Sequence, residues 1–289
     1  MDKPQQQLDK RQVRLAFNRA ADSYDGVAVL QREVGERLLE RLELTRLEPQ
    51  WTLDLGAGTG QITRGLLKRY RTSRVVALDL AEAMLARTRR SAGWWRRPRL
   101  VCGDAEQLPL ADASVDLLVS NLTLQWCNSL DRAFAEFRRV LRPGGALFFT
   151  TFGPDTLREL RESWAEVDGH SHTNRFIDLH DIGDALVRAG LAEPVMDMEM
   201  LTLTYRELPT LVREIKELGA HNVTRGRARG LTGRARWRAF EQAYESRRRD
   251  GVLPLSYEVI YGHAWAPTGV RQQRSGDEVR VPLDVLKGR

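Results

Sequence analysis

At 289 residues, 42% of them hydrophobic, the chain is long enough to bury a sizeable core in one large domain or two small ones. Its net charge of +6 suits an acidic partner, whether nucleic acid, membrane surface or protein, without choosing among them. Cys102 and Cys127 are the only cysteines, which excludes a disulfide framework and a cysteine-built zinc site; with no apolar signal core and no run near the ~20 apolar residues of a membrane span, a reduced, cytoplasmic protein is expected.

Leu30, Val34, Leu38 and Leu42 recur every four positions with charges between them, the stripe of an amphipathic helix. Residues 51–55 form an apolar strand that runs into glycines, residues 61–70 a helix and the run 75–78 a second strand, together a βαβ unit. The alternation continues with a helix over 81–90, strands at 100–102 and 116–120, a helix over 130–140 and a strand at 146–151, with Arg142-Pro143-Gly144-Gly145 as the turn before it. Short connections of this kind predict a mostly parallel sheet covered on both faces, with its ligand site at the carboxyl ends of the strands.

Beyond Gly153 two helices are expected, at 156–167 and 179–189, then an alternating strand at 195–205. Val259, Tyr261 and His263 alternate in a final strand. The expected organisation is a helical cap at 1–47, an α/β core at 48–206, an arginine-rich helical insertion at 207–253 that forms a lid, a last core strand at 254–267 and a polar, loosely docked tail at 268–289.

The segment Leu53-Asp54-Leu55-Gly56-Ala57-Gly58-Thr59-Gly60 lets the backbone turn tightly and approach a ligand closely at a helix start. In the dinucleotide fingerprint the third glycine falls one place later, where Gln61 stands, so the spacing favours a different adenosine cofactor. Asp79, at the end of the second strand, is placed to accept hydrogen bonds from both ribose hydroxyls. Asp104, after the third strand, is placed to accept from an adenine amino group. Singly, such glycines are often plain turns and such aspartates helix caps; their order on one βαβ framework carries the reading.

This combination resembles the class I S-adenosylmethionine methyltransferases over residues 48–152, which implies a Rossmann-like, doubly wound, seven-stranded and mostly parallel α/β fold. The resemblance implies that Gly56, Gly58 and Gly60 line the methionine moiety, Asp79 the ribose, Asp104 and Ala105 the adenine and Asn121 the cofactor's edge. Met84 covers the adenine, and Asp54, Ala57 and Leu80 complete the expected cofactor set.

Four further stretches are similar to the malonyl-[acyl-carrier protein] O-methyltransferases of biotin synthesis, the BioC family: Ala16-Phe17-Asn18-Arg19-Ala20-Ala21 with Tyr24, Asn121-Leu122 through Gln125-Trp126-Cys127, Asn174-Arg175-Phe176, and Ile215-Lys216-Glu217-Leu218-Gly219-Ala220. The resemblance implies methylation of the free carboxylate of a malonyl thioester on acyl carrier protein. That carboxylate is ionised near neutral pH, so no general base is required, and catalysis comes mainly from alignment of the reactants. Arg175 is the expected fork for the substrate carboxylate. Tyr24 closes over the cofactor or bonds the malonyl group, Trp126 walls the pocket and Gln125 contacts either ligand.

Between Arg225 and Arg249 lie nine arginines, interleaved with Trp237, Phe240 and Tyr244 at helical spacing. With the aromatics facing the core, Arg225, Arg227, Arg229, Arg234, Arg236 and Arg238, joined by Lys216, form an outer face that steers an acidic carrier protein. Rival readings are a small-molecule or RNA methyltransferase, the latter drawing on the same arginines and on Trp94-Trp95-Arg96-Arg97, and a non-enzymatic assembly factor on the same fold. His170, His172 and His180 near Asp178 and Asp181 match no closed zinc spacing and read as loop histidines with structural hydrogen bonds. No metal is expected.

Overall fold

Asp9 opens the first helix: its carboxylate accepts the backbone N–H groups of Arg11 and Gln12, two of the donors a helix start leaves unpaired. That helix, α1 (Lys10–Ala20), is followed by a single turn, α2 (Tyr24–Val27), and by α3 (Val29–Arg41). The computed structural model describes residues 7–94, 96–170, 172–174, 176–218 and 233–268, and beyond them the backbone of 273–275 and 278–280.

The expected alternation follows: β1 (Trp51–Leu55), α4 (Gln61–Arg69), β2 (Arg74–Asp79), α5 (Glu82–Ser91), β3 (Arg99–Cys102), β4 (Val115–Ser120), α6 (Leu130–Val140) and β5 (Leu141–Phe152). Next come α7 (Arg158–Ala165), α8 (Leu179–Arg188), β6 (Ala192–Tyr205), α9 (Leu208–Glu217), α10 (Arg234–Glu245) and β7 (Leu253–Trp265). Seven strands make one sheet in the order β3-β2-β1-β4-β5-β7-β6, the first five parallel and β7 antiparallel to both its neighbours. Strand order reverses between β1 and β4, and the registers Leu55↔Leu78 and Leu55↔Ser120 bring the ends of β2, β1 and β4 level, which makes the crevice beyond them the place for a ligand.

Side chains alternate between two covered faces. Leu118, Leu147 and Phe149 cluster with Phe134 and Phe137 of α6 and Ile182 and Leu186 of α8. Leu117, Val119 and Phe148 cluster on the other face with Leu38 of α3 and Ile62 and Leu66 of α4. A third cluster joins Leu160 and Trp164 of α7, Leu208 and Leu211 of α9 and Phe240 and Tyr244 of α10 to Leu255, Tyr257 and Val259 of β7. Trp164 stacks between Phe240 and His172, at centroid distances of 4.3 and 3.8 Å. Each such fully buried ring contributes roughly 1.5–3 kcal/mol, so α10 is held by its aromatic face.

One expectation needs correction. Arg142-Pro143-Gly144-Gly145 lies within β5 and not before it: Leu141 already pairs with Val115, and the register then jumps to Leu117↔Ala146. The excursion is fixed by Gly144 N–H to Ala266 O and Ala266 N–H to Gly145 O, each at 2.8 Å. The last strand, expected at 254–267, spans Leu253–Trp265; both its edges are paired and nearly every side chain from Leu253 to Gly262 is buried, so its two-residue pattern is weak. Beyond the core sheet, β8 (Gln273–Ser275) and β9 (Glu278–Arg280) form a separate small antiparallel pair.

Candidate active site

One cavity occupies the crevice, enclosing ≈ 870 Å³ with its open mouth included. Its floor is the loop after β1. Gly56 and Ala57 both donate to Leu78 O, at 2.8 and 3.0 Å, which clamps the loop to β2. Gly56 sits at φ +75°, and a Cβ there would fall 1.9 Å from Thr123 Oγ1, so only glycine fits. Gly58, at φ +54°, has open space where its Cβ would stand and donates its N–H to Asp79 Oδ2 at 2.8 Å.

Asp79 Oδ1 accepts the N–H of Ala81 at 2.8 Å, so the carboxylate is fixed at both oxygens and still presents free lone pairs to the cavity. Burial raises its pKa against these backbone donors. Tyr24 lines the same wall, and burial, then the Asp79 and Asp25 charges, push its phenol well above the ordinary range. Tyr24 therefore stands near Asp79 and stays neutral. Leu80, Met84 and Ala105 supply an apolar slot beside it, Met84 packing with Ala20 and Ala21 and against Phe17 and Tyr24. Open space over Gly58, a fixed acceptor and an apolar slot fit an adenosine cofactor.

Asp54, Ala57 and Gly60 belong to the loop but not to the cavity wall. Asp54 is 1% exposed beneath the loop, where its Oδ2 accepts Thr63 Oγ1 at 2.5 Å and its Oδ1 has no partner among the described residues. Burial, helped by the neighbouring Asp79 charge and opposed by Thr63, pushes its pKa up to about 7. Gly60 caps α4 at φ +90° and faces Thr88 and Ser91, while Ala57 packs with Ala77 and Leu85.

Asn121 and Gln125 line the cavity with their amides already engaged. Asn121 Nδ2 donates to Gln31 O at 3.0 Å and its Oδ1 accepts Thr150 Oγ1 at 2.7 Å. Gln125 Nε2 donates to Leu122 O at 2.6 Å and its Oε1 accepts Thr151 Oγ1 at 3.3 Å. Both brace the wall with one N–H of the amide, which leaves each a second N–H donor. Trp126 walls the cavity with Phe17 edge-on at 5.1 Å. Asp104 lines it too, and its Oδ1 accepts Lys10 Nζ at 2.8 Å.

The wall also contains Lys10 and Val13 of α1, Gln31 of α3 and Phe152 at the end of β5, which no motif marks, beside Phe17 and Leu218 from two stretches of the family resemblance. Only the cap at Asp9 followed by Val13, Ala16, Phe17 and Ala20 at helical spacing would have signalled α1 as a packed cover. Gln31 Oε1 is buried without a partner among the described residues.

Arg175 lies outside the described residues. Its neighbour Phe176 packs edge-on against Phe152 of the cavity wall at 5.7 Å, and Asn174 is buried. Lys216, Arg234, Arg236 and Arg238 are exposed, while Arg225, Arg227 and Arg229 also lie outside the described residues. Trp237, Phe240 and Tyr244 face inward. Arg247 and Arg248 are structural: Arg247 bridges Glu162 of α7 and Glu166 just after it, and Arg248 binds Glu245. Arg96 is structural too, donating to Tyr70 O and Ser73 O, whereas Trp94 is 87% exposed. His172 and His180 bond Asp168 and Asp178, each at 2.9 Å. Among the described residues no helix is long and apolar enough to cross a membrane.

Residues 53–149 match the model of a methyltransferase domain. A solved SAM-dependent methyltransferase of Thermotoga maritima superposes with a TM-score of 0.52 at 18% identity, over 88% of this chain and 99% of that one. The YcgJ protein of Bacillus subtilis gives 0.57 at 17%, over 81% of this chain and 100% of that one. These likenesses speak for the fold alone, which is the Rossmann-like class I methyltransferase fold. Two malonyl-[acyl-carrier protein] O-methyltransferases are much nearer. That of Gallionella capsiferriformans is 52% identical over 266 residues, 90% of this chain and 92% of that one. That of Halorhodospira halophila is 52% identical over 282 residues, 97% and 95% of the two chains. With half its residues shared along nearly the whole of both chains, the chain belongs to the malonyl-[acyl-carrier protein] O-methyltransferase family.

Proposed function

We propose that this protein transfers a methyl group from S-adenosylmethionine to the free carboxylate of a malonyl thioester carried on acyl carrier protein, giving the methyl ester that primes pimeloyl and biotin synthesis. One observation carries the reading beyond family membership: a single cavity joins an adenosine end, at Gly58, Asp79 and Met84, to an apolar end at Leu122, Trp126, Phe152 and Leu218.

When bound, S-adenosylmethionine supplies an electrophilic sulfonium methyl. The titratable side chains of the described wall are Lys10, Tyr24, Asp79, Asp104 and Cys127. Tyr24 is held neutral, and burial pushes the Cys127 thiol up to about 12, so neither serves as base or nucleophile near neutral pH. Asp79 and Asp104 belong to the adenosine end. Such a wall suits an acceptor that arrives already ionised, as a carboxylate does. The chain's task is then to exclude water with Phe17, Trp126 and Phe152 and to align the two reactants.

Capture of the malonyl carboxylate is assigned to Arg175, next to the Phe176 that packs on Phe152. Docking of the acidic carrier is assigned to Lys216, Arg225, Arg227, Arg229, Arg234, Arg236 and Arg238. The test is methyl transfer from labelled S-adenosylmethionine to malonyl-acyl carrier protein, malonyl-coenzyme A and unloaded carrier in parallel. Methyl ester on the malonyl carrier is the expected result; cofactor binding without transfer to any acceptor would leave only the fold and cofactor standing.

A further inference from the structure

Lys10 enters the cavity from α1, on the side that holds Asp104 and Ala105. Its Nζ lies 2.8 Å from Asp104 Oδ1 and 2.6 Å from Glu106 Oε2. An ammonium has three hydrogens, so these two ion pairs leave one N–H. Glu106 is itself fixed, accepting the N–H groups of Asn128 and Ser129 at 3.0 and 2.8 Å. Asp104 Oδ1 also takes the N–H of Glu106 at 3.0 Å, while Oδ2 accepts no hydrogen bond from the described residues. The start of α1 is held from the far side, with Leu8 N–H donating to Asn128 Oδ1 at 2.7 Å and Asn128 Nδ2 returning to Leu8 O at 3.2 Å. One N–H donor and one carboxylate acceptor therefore stand side by side, anchored, in the wall beyond the ribose acceptor Asp79.

Adenine presents the matching edge: an exocyclic amine that donates, flanked on either side by a ring nitrogen that accepts. We propose that Lys10 reads the purine, its remaining N–H donating to a ring nitrogen beside the amine while Asp104 Oδ2 accepts from the amine. The inference rests on the S-adenosylmethionine reading above and assigns Lys10 a ligand contact there. Burial weakens the ammonium, but its hydrogen bonds to Asp104 and Glu106 hold its pKa above the ordinary lysine value, so the donor persists across the physiological range.

A contact must be separated from mere fastening of α1. The experiment is calorimetric titration of the full chain with S-adenosylhomocysteine and with its 1-deaza and 7-deaza analogues, in which a ring nitrogen becomes C–H. In the wild type, one deaza analogue is expected to bind about tenfold more weakly than the parent, the effect of one charge-assisted hydrogen bond. Lys10→Met is expected to weaken the parent about tenfold and to erase that preference. Asn18→Ala removes a different tether of α1, the 3.0 Å bond from Ala83 N–H to Asn18 Oδ1, and is expected to weaken all three ligands alike. Lys10→Gln, which keeps an N–H donor without the charge, serves as second variant if Lys10→Met unfolds and is expected to retain part of the preference. An equal loss for all three ligands in Lys10→Met, or no loss, overturns the inference and leaves Lys10 as a tether. Failure of the wild type to bind S-adenosylhomocysteine overturns the cofactor reading itself, and the inference with it.

Discussion

Thr59 donates its hydroxyl hydrogen to Asp25 Oδ1 at 2.6 Å, which fastens the glycine loop after β1 to the helical turn that carries Tyr24. The loop is the cavity floor and Tyr24 part of its wall, so this bond couples the two surfaces across a ligand. Asp25→Ala and Thr59→Val are each expected to raise the cofactor dissociation constant several-fold, at about 1 kcal/mol apiece. Because the two side chains act as a pair, the double variant should bind no worse than the weaker single one. Calorimetric titration of all four proteins checks this; additive losses would mean that each residue acts through other contacts.

Asp54 gives stability a pH dependence of unusual sign. Its carboxyl is neutral in the folded chain up to about pH 7 but ionises near 4 in the unfolded chain, so the folded state binds the extra proton between those values. Stability contributed by this group therefore falls as pH rises from 4 to 7, by on the order of 4 kcal/mol for a shift of this size. Asp54→Asn keeps an acceptor for Thr63 without the charge. The difference in melting temperature, variant minus wild type, should grow across that window and level off above it. A difference that is flat with pH would show that Asp54 ionises normally in the folded protein.

The cofactor end of the site was legible because its parts lie within a few residues of strand ends. Gly56, Gly58, Asp79, Met84 and Ala105 follow β1, β2 and β3 directly, and parallel strands deliver their carboxyl ends to one crevice. The same local logic misplaced Asp54 and Gly60, since a motif specifies a turn but not which side chains face the ligand. Lys10, Gln31 and Phe152 reach the cavity from α1, α3 and the end of β5. Nothing local marks them, because their proximity is created only when the cap and the insertion pack onto the sheet.

Arg175→Ala should separate substrate capture from cofactor binding. Phe176, its neighbour, touches Phe152 at the acyl end of the cavity and not the wall around Asp79. Loss of a charge-assisted fork to a carboxylate is expected to lower kcat/KM for the malonyl carrier roughly ten- to hundredfold while cofactor affinity stays unchanged. Arg175→Lys should recover only part of the rate, because an ammonium cannot make the paired contact. Steady-state kinetics alongside cofactor titration provides the check. Unchanged kcat/KM in Arg175→Ala would remove the residue from the site.

The basic surface divides into two parts that mutation should tell apart. Arg247 is committed to Glu162, Glu166 and Ser163 and ties the end of α10 to α7. Arg247→Ala should lower the melting temperature and leave KM for the carrier substrate alone. Arg234, Arg236 and Arg238 form no ion pair among the described residues and are exposed on the outer face of α10, whose inner face is anchored by Phe240 and Tyr244. Reversing all three to Glu should spare the fold, since the anchoring rings are untouched. Each exposed charge contributes up to about 1 kcal/mol to an encounter, so KM for malonyl-acyl carrier protein should rise about tenfold or more at low salt and its salt dependence should flatten. KM for malonyl-coenzyme A, which lacks the acidic protein, should move little. If the triple variant keeps the full salt dependence, these arginines are a solvated face, and the carrier must dock elsewhere, with Lys216 in the cleft between α1 and α9 the next position to reverse.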